Sequence, residues 1–587
     1  MRDHPATVLP LRAPKRDGAR SASSGGGRGP GVRSGAATAA LEILLGDAAT
    51  GTPHFFPPRE LARLVRRLAM HPGRTLGRLR DLGGDLGRIT AGRSTITPAR
   101  GDRRFVDPAW ESWMFRRLLQ AYLALGGTVD GLVSDADLDW RTERTVRLAA
   151  ANVVDALAPT NFPWSNPAVL KETIDRGGAN LVAGIRNFAR DMSRPPRLPA
   201  TVDRTKFEIG GNLATTPGSV VLRTEVFELL EYAPQTELVR ELPLLVVPPT
   251  INKYYILDIA PQRSLVEHLV RTGQHVFMIS WRNPSQEQGH WDLDTYAGAV
   301  LQARRAAAEI TGSAGVHLAG ACSGGLVAAA AASHLQATGG GAGVASLSLF
   351  VCAIDYEGAG TVSALTSREI AAAAIAESAR RGYVDGHALQ GVFTWLRPND
   401  LVWSYVVSNY LLGKEPPAFD ILYWNQDSVR MAAGLHRDFL HLAIDNSMAR
   451  PGRFTVLGTP LDLSRVSVDI YAMAGLNDHI VPWESAYRSI RLFGGRTRFV
   501  LSTSGHIQAL VNPPGPASRS SFRVTRDVSV SPDSFVDGIG ATPGSWWSDY
   551  SAWLSERSGS LHRARAHPGS LRFRALAKAP GSYVHAL

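Results

Sequence analysis

Cys322 stands in the run Gly320-Ala321-Cys322-Ser323-Gly324-Gly325, which joins a short apolar stretch at 316–319 to an alanine-rich one that ends at Leu335. The first stretch reads as a buried strand and the second as a helix. Strand, Gly-x-Cys-x-Gly turn and helix make the pattern of a nucleophile elbow, with sulfur where such turns usually carry a serine oxygen. Gly320 and Gly324 lie two residues either side of Cys322. In a strained turn a Cβ at either place would strike the strand or the helix. A helix N-terminus also favours an anion, and the thiolate is the attacking form of a cysteine. Against this, the string is short, and a buried cysteine often serves only as a small apolar side chain. The weight therefore falls on whether the rest of the chain supplies a base, a carboxylate and two N–H donors.

The elements that would position them begin near residue 201. Apolar, β-rich runs at 219–222, 242–247, 275–280, 316–319, 347–354, 468–474 and 497–501 alternate with amphipathic ones, such as 264–271 and 295–310. That rhythm predicts an α/β fold with a mostly parallel sheet and helices on both faces. Asp478 follows the run at 468–474, in GLNDHIVPW, and His506 follows 497–501, in STSGHIQ. Nucleophile, acid and histidine in that order, each after a strand, is the arrangement of the α/β-hydrolase fold. Cys322, Asp478 and His506 are thus the candidate catalytic residues. His479 is a rival base, but two loop neighbours seldom point the same way. Asp355 is a rival acid, just after the strand ending at Ile354, and Cys352 within that strand reads as inert core. For an oxyanion hole, one donor should be the backbone N–H of Ser323. The other should come from the loop VPPTINKYYILD. Pro248 and Pro249 have no N–H, so Thr250 or Ile251 is the first available.

A chain of 587 residues exceeds one ordinary core. Residues 1–37, rich in Gly, Ser, Ala, Arg and Pro, predict a disordered basic tail. Residues 38–200 predict an all-helical domain, with helical periodicity at 60–69, 113–125, 142–158 and 167–192. Residues 201–587 form the expected catalytic domain. Within it, about 356–465 breaks the strand–helix rhythm and is rich in aromatics, including Phe393, Trp395, Trp403, Tyr405, Tyr410, Phe419, Tyr423 and Trp424. It reads as a cap over the site, or as aromatics that simply pack the insertion. Two cysteines exclude a disulfide framework and suit a reducing cytoplasm. No apolar run is long enough to span a bilayer, and no secretory signal is expected. The net charge of +11, partly in terminal arginines, suits an anionic substrate such as a coenzyme A thioester, or an anionic surface. No helix-turn-helix, zinc or RNA-binding signature accompanies it, so no nucleic acid is expected.

Several motifs together carry a resemblance. They are FPWSNP at 162–167, VPPTINKYYILD at 247–258, SWRNP at 280–284 and GACSGG at 320–325. LRPNDLVW at 396–403, PAFDILYWNQD at 417–427, AGLNDHIVPW at 474–483, SGHIQALVNPPG at 504–515 and the C-terminal GSWWSDYSAWL continue the set. From about Arg103 to the end the chain resembles the polyhydroxyalkanoate (PHA) synthases of the single-subunit type, nearest the class acting on medium-chain acyl groups. The resemblance implies polymerisation of (R)-3-hydroxyacyl-coenzyme A into polyester through an acyl group on Cys322, with Asp478 and His506 completing a triad. It also implies no metal or redox cofactor, a cytoplasmic granule surface, granule-associated proteins and a homodimer. Ser323 stands where relatives vary. The alternative is a cysteine-type α/β-hydrolase that cleaves esters or thioesters. A granule-binding protein without catalysis is a further rival, against which the complete triad argues.

Overall fold

The computed structural model describes residues 58–586 apart from 100–101, 194–196, 357–360, 387–397, 479 and 517. The expected tail at 1–37, Phe393, Trp395 and His479 lie outside the described residues. Apolar residues three and four apart build six N-terminal helices. They are α1 (Pro58–Met70), α2 (Pro72–Thr90), α3 (Trp113–Asp135), α4 (Trp140–Ala156), α5 (Pro167–Asp175) and α6 (Ala179–Met192). The stretch 167–192, expected as one helix, is two. Gly177 and Gly178 take φ of 55° and 82° and turn the chain between them. Asn166 caps the start of α5 by accepting from the Ala168 and Val169 N–H groups. These helices leave an open apolar groove of about 880 Å³ between α1, α3 and α4, and Trp113 and Trp164 stay more than 70% exposed.

The main sheet has eleven strands: β1 (Gly218–Arg223), β2 (Phe227–Tyr232), β3 (Leu244–Val247), β4 (Val276–Trp281), β5 (Val316–Ala321), β6 (Val344–Phe350), β7 (Asp469–Gly475), β8 (Thr497–Ser502), β9 (Ser521–Thr525), β10 (Thr542–Pro543) and β11 (Ala577–Lys578). Their order is β10-β9-β8-β7-β6-β5-β3-β4-β2-β1-β11. The six middle strands run parallel, from β8 across to β4, and both flanks are antiparallel. Parallel strands need cover on both faces. β3 and β5 are buried along their whole length, as such coverage requires. Strand β6 ends at Phe350 rather than at Ile354, because Val351 adopts φ of 44° and turns the chain out of the sheet.

Helices α7 (Leu293–Thr311) and α8 (Ser323–Ala337) pack beneath the middle strands. Between β6 and β7 the chain inserts α9 (Thr361–Arg381), α10 (Asp420–Gln426) and α11 (Ala433–Asp445). The insertion is bound to the N-terminal helices. Asn180 Nδ2 donates to Leu411 O at 2.8 Å, and Asn187 Nδ2 donates to the Asn409 and Lys414 carbonyls at 3.1 Å each. Tyr410 donates its hydroxyl to Asp191 at 3.0 Å and stacks edge-on against Phe188. This aromatic therefore joins two parts of the chain rather than roofing the site.

The C-terminal arginines are not a loose tail. Arg563 ends a strand paired with Leu238–Arg240, Lys578 lies in β11, and Arg572 meets Glu309 at 3.1 Å. Buried Glu228 in β2 accepts from Ser582 N, Ser582 Oγ and Tyr583 N at 2.7–2.9 Å. Before that return, α12 (Trp546–Ser555) buries Trp546 and Trp547 completely and Trp553 nearly so. Trp546 Nε1 donates to Ala509 O at 2.7 Å and Trp547 Nε1 to Leu510 O at 3.2 Å, so α12 props the short helix His506–Leu510. Trp546→Ala should destabilise the protein by about 3–5 kcal/mol and loosen that helix. A lowered denaturant midpoint, with faster amide exchange at 506–510, is the expected readout.

Candidate active site

Cys322 lies between β5 and α8 with φ of 51° and ψ of −123°. A side-chain-bearing residue there costs about 1–3 kcal/mol of backbone strain. The turn is held by its neighbours. Cys322 N–H donates to Phe350 O in β6 at 2.8 Å, and Gly325 N–H donates back to Cys322 O at 2.9 Å. A Cβ on Gly320 would fall 2.5 Å from Gly325 Cα, and one on Gly324 would fall 2.3 Å from Val247 O and 2.4 Å from Pro248 O. Both glycines thus permit backbone to touch backbone: strand to helix at Gly320, and helix to the end of β3 at Gly324. Cys322 is partly exposed, whereas Cys352 is buried, with its sulfur 2.6 Å from where a Cβ of Gly325 would be. Burial, and then the charge of Cys322, push the Cys352 thiol far above its ordinary value, which leaves it inert.

The loops after β7 and β8 are stitched together. Leu476 N–H donates to Ser502 O at 2.7 Å and Asn477 N–H to Ser504 O at 3.2 Å. This brings Asp478 and His506 side by side, with Asp478 Oδ2 2.6 Å from His506 Nδ1. The other oxygen, Oδ1, accepts from the Ile480 and Val481 N–H groups at 2.8 and 2.9 Å, which fixes the carboxylate plane. His506 is thereby left with Nε2 for its other partner, and Cys322 lies close enough to add to its proton affinity. Burial alone would lower the His506 pKa. The charge and hydrogen bond of Asp478, with the Cys322 contact, outweigh it and raise the value to about 10.

The structure therefore sets Asp478 against His506 and places Cys322 near enough to act on the imidazole. Asp355 is engaged elsewhere: its Oδ1 accepts from Asn446 Nδ2 at 2.9 Å and its Oδ2 faces Arg488 Nε at 3.6 Å. Thr250 N–H, one of the two amides expected to face an oxyanion, donates instead to Ser323 Oγ at 2.9 Å. Ile251 N–H makes no hydrogen bond with any described residue.

Sequence reasoning did not find how this loop is tied to the insertion. Lys253 Nζ and Asp427 Oδ1 form a buried ion pair at 2.9 Å, and Tyr255 donates its hydroxyl to Asp427 Oδ2 at 2.7 Å. Trp424 Nε1 donates to Lys253 O at 2.7 Å, and Val429 N–H to Ile251 O at 3.1 Å. The available signal was Lys253, the one cation in VPPTINKYYILD, and the two aspartates Asp420 and Asp427 in PAFDILYWNQD, charges set among apolar residues as in a buried pair.

The raised His506 pKa fixes the sign of a pH effect. A protonated imidazole stabilises the folded state fully below about 6.5, and the contribution is lost as pH rises from there through about 10. Asp478→Asn removes the largest raising influence, so the His506 pKa should fall. Histidine NMR titration should detect the fall, and the decline in denaturation midpoint above pH 6.5 should flatten in the variant.

Residues 101–269 match the family model described as the Poly-beta-hydroxybutyrate polymerase (PhaC) N-terminus, and 243–513 match that of the alpha/beta hydrolase fold. The chain is 41% identical to Poly(3-hydroxyalkanoate) polymerase 1 of Ectopseudomonas oleovorans, over 89% of this chain and 94% of that protein. It is also 41% identical to polymerase 2 of the same organism, over 89% and 93%. It is 38% identical to the Poly(3-hydroxyalkanoate) polymerase subunit PhaC of Cupriavidus necator, over 85% of each chain. Identity of that order across nearly the whole length, on a fold whose elbow, acid loop and histidine loop converge, makes this chain a member of the poly(3-hydroxyalkanoate) polymerase family of acyltransferases.

Proposed function

We propose that the protein polymerises (R)-3-hydroxyacyl-coenzyme A into polyester through an acyl group carried on Cys322. The observation that carries the reading is the Asp478–His506 pair near Cys322, which sits on a strained elbow in a member of a polymerase family. The proton of Cys322 passes to His506 Nε2, and the high proton affinity of His506 favours that transfer. The sulfur attacks the thioester carbonyl, the carbon–sulfur bond to coenzyme A breaks, and coenzyme A leaves with a proton. His506 next removes the proton of a 3-hydroxyl, whose oxygen attacks the sulfur-bound acyl carbon. An oxygen ester forms and the sulfur is released. Asp478 holds the imidazole in the tautomer that keeps Nε2 toward sulfur and stabilises its cation.

Sulfur suits this sequence because a thioester keeps the acyl group activated, so attack by a hydroxyl remains downhill. A serine ester would lose that driving force. Extension also requires water to be kept from the intermediate. The apolar groove among α1, α3 and α4, with exposed Trp113 and Trp164, supports a polyester granule as the surface on which the protein works. Granule-associated proteins, a second copy of the chain and a cytoplasmic setting belong to the same proposal. Among the described residues no helix is long and apolar enough to cross a membrane.

Incubation with a 3-hydroxyacyl-coenzyme A should release coenzyme A and deposit insoluble polyester. Release of free hydroxy acid instead would mean a hydrolase. Cys322→Ala should lose both products. An acyl-coenzyme A lacking the 3-hydroxyl should acylate Cys322 once per chain and stop, as a single mass increment on the intact protein.

A further inference from the structure

Ser323 is next to the nucleophile, and its side chain does something that its backbone does not require. Its Oγ accepts the Thr250 N–H at 2.9 Å and lies 3.1 Å from Thr250 Oγ1. Thr250 is buried, at 1% exposed, and Ser323 is half-buried, so the bond is partly shielded from water. Pro248 and Pro249 offer no N–H, which makes Thr250 the first amide after β3 that could meet a developing oxyanion. That amide has one proton, and Ser323 Oγ holds it. The next amide, Ile251 N–H, is unengaged among the described residues.

The loop on either side is fixed by other ties. Trp281 Nε1 donates to Pro248 O at 3.1 Å, and Gly324 packs directly on the Val247 and Pro248 carbonyls. Beyond Thr250, Val429 N–H holds Ile251 O at 3.1 Å, and the Lys253–Asp427 pair anchors the far end of the loop. Ser323 supplies the hold between these two sets. Oxyanion donors act through preorganisation, since a donor that must first swing into place gives up much of its effect.

Resting on the function proposed above, we infer that Ser323 is a positioning residue: its Oγ engages the Thr250 N–H and sets the loop, so that the Ile251 N–H, together with the N–H of Ser323 itself, forms the oxyanion hole. The side chain after the nucleophile would thus select which of two adjacent amides serves.

The test compares the full-length wild type with Ser323→Ala and with Ser323→Thr, which keeps the hydroxyl. Two rates are measured. One is coenzyme A release from a 3-hydroxyacyl-coenzyme A, resolved into kcat and KM. The other is alkylation of Cys322 by iodoacetamide, which needs the sulfur anion but no oxyanion hole; buried Cys352 does not compete. Ser323→Ala should lower kcat about tenfold to a hundredfold, with KM and the alkylation rate little changed. Ser323→Thr should recover most of the loss. Unchanged or higher kcat in Ser323→Ala would overturn the inference, because the freed Thr250 N–H would then serve as well or better. A fall in alkylation that tracks kcat would also overturn it, since the elbow itself would then be disturbed. Coenzyme A release that survives Cys322→Ala would sink the underlying reading of the site, a failure distinct from either of these.

Discussion

The positive φ at Cys322 is the constraint on which the site depends. It aims the sulfur away from the strand that carries it, and it costs about 1–3 kcal/mol. The packing of α8 offsets that cost. Val327 and the alanines from Ala328 to Ala331 are fully buried, and Leu326 and Leu335 nearly so. Each large side chain among these contributes about 1.5–3 kcal/mol as an upper estimate. Burial therefore wins, provided that α8 can approach β3 and β5 closely enough. Gly320 and Gly324 permit that approach, because each leaves room for backbone where a Cβ would clash. The same contact that relieves the elbow also presses the start of the loop after β3 against α8.

A second balance sets the charge of the site. Burying an imidazole disfavours its cation, and a carboxylate at 2.6 Å favours it. The carboxylate prevails because its own geometry is fixed: two backbone N–H groups hold Oδ1 while Oδ2 faces His506. The ladder between β7 and β8 and the bonds that join their loops keep both side chains in place. Further out, the buried Lys253–Asp427 pair ties the loop after β3 to the insertion. Such a pair adds little net stability compared with apolar packing, but it accepts few other arrangements. It couples the position of α10 to that of the loop after β3.

Much of this was legible from residue order. The strand before Cys322, the two glycines, and Asp478 and His506 after later strands follow from local patterns, because a parallel sheet buried on both faces needs continuous apolar runs. Strand β2 was hidden, since FELLEY carries two glutamates, a residue type that ordinarily sits at a surface. They are buried: Glu228 meets Ser582 and Tyr583, and Glu231 meets His275 and the Gly569 N–H. Strand β9 is short and polar, and its place at a flank comes from pairing with β8. The break at Gly177 and Gly178 was written in the sequence, but regular periodicity on both sides disguised it.

Residue order sets which atoms could react and how they follow one another along the chain, because strand, turn and helix preferences act over a few residues. Which partners meet is settled by packing between distant segments. Asp478 rather than Asp355 faces His506, because bonds between the β7 and β8 loops, hundreds of residues from the N-terminus, set the distance. Ser323 meets Thr250 across 73 positions, a contact that no local preference encodes. It exists because α8 and the end of β3 pack backbone to backbone through Gly324.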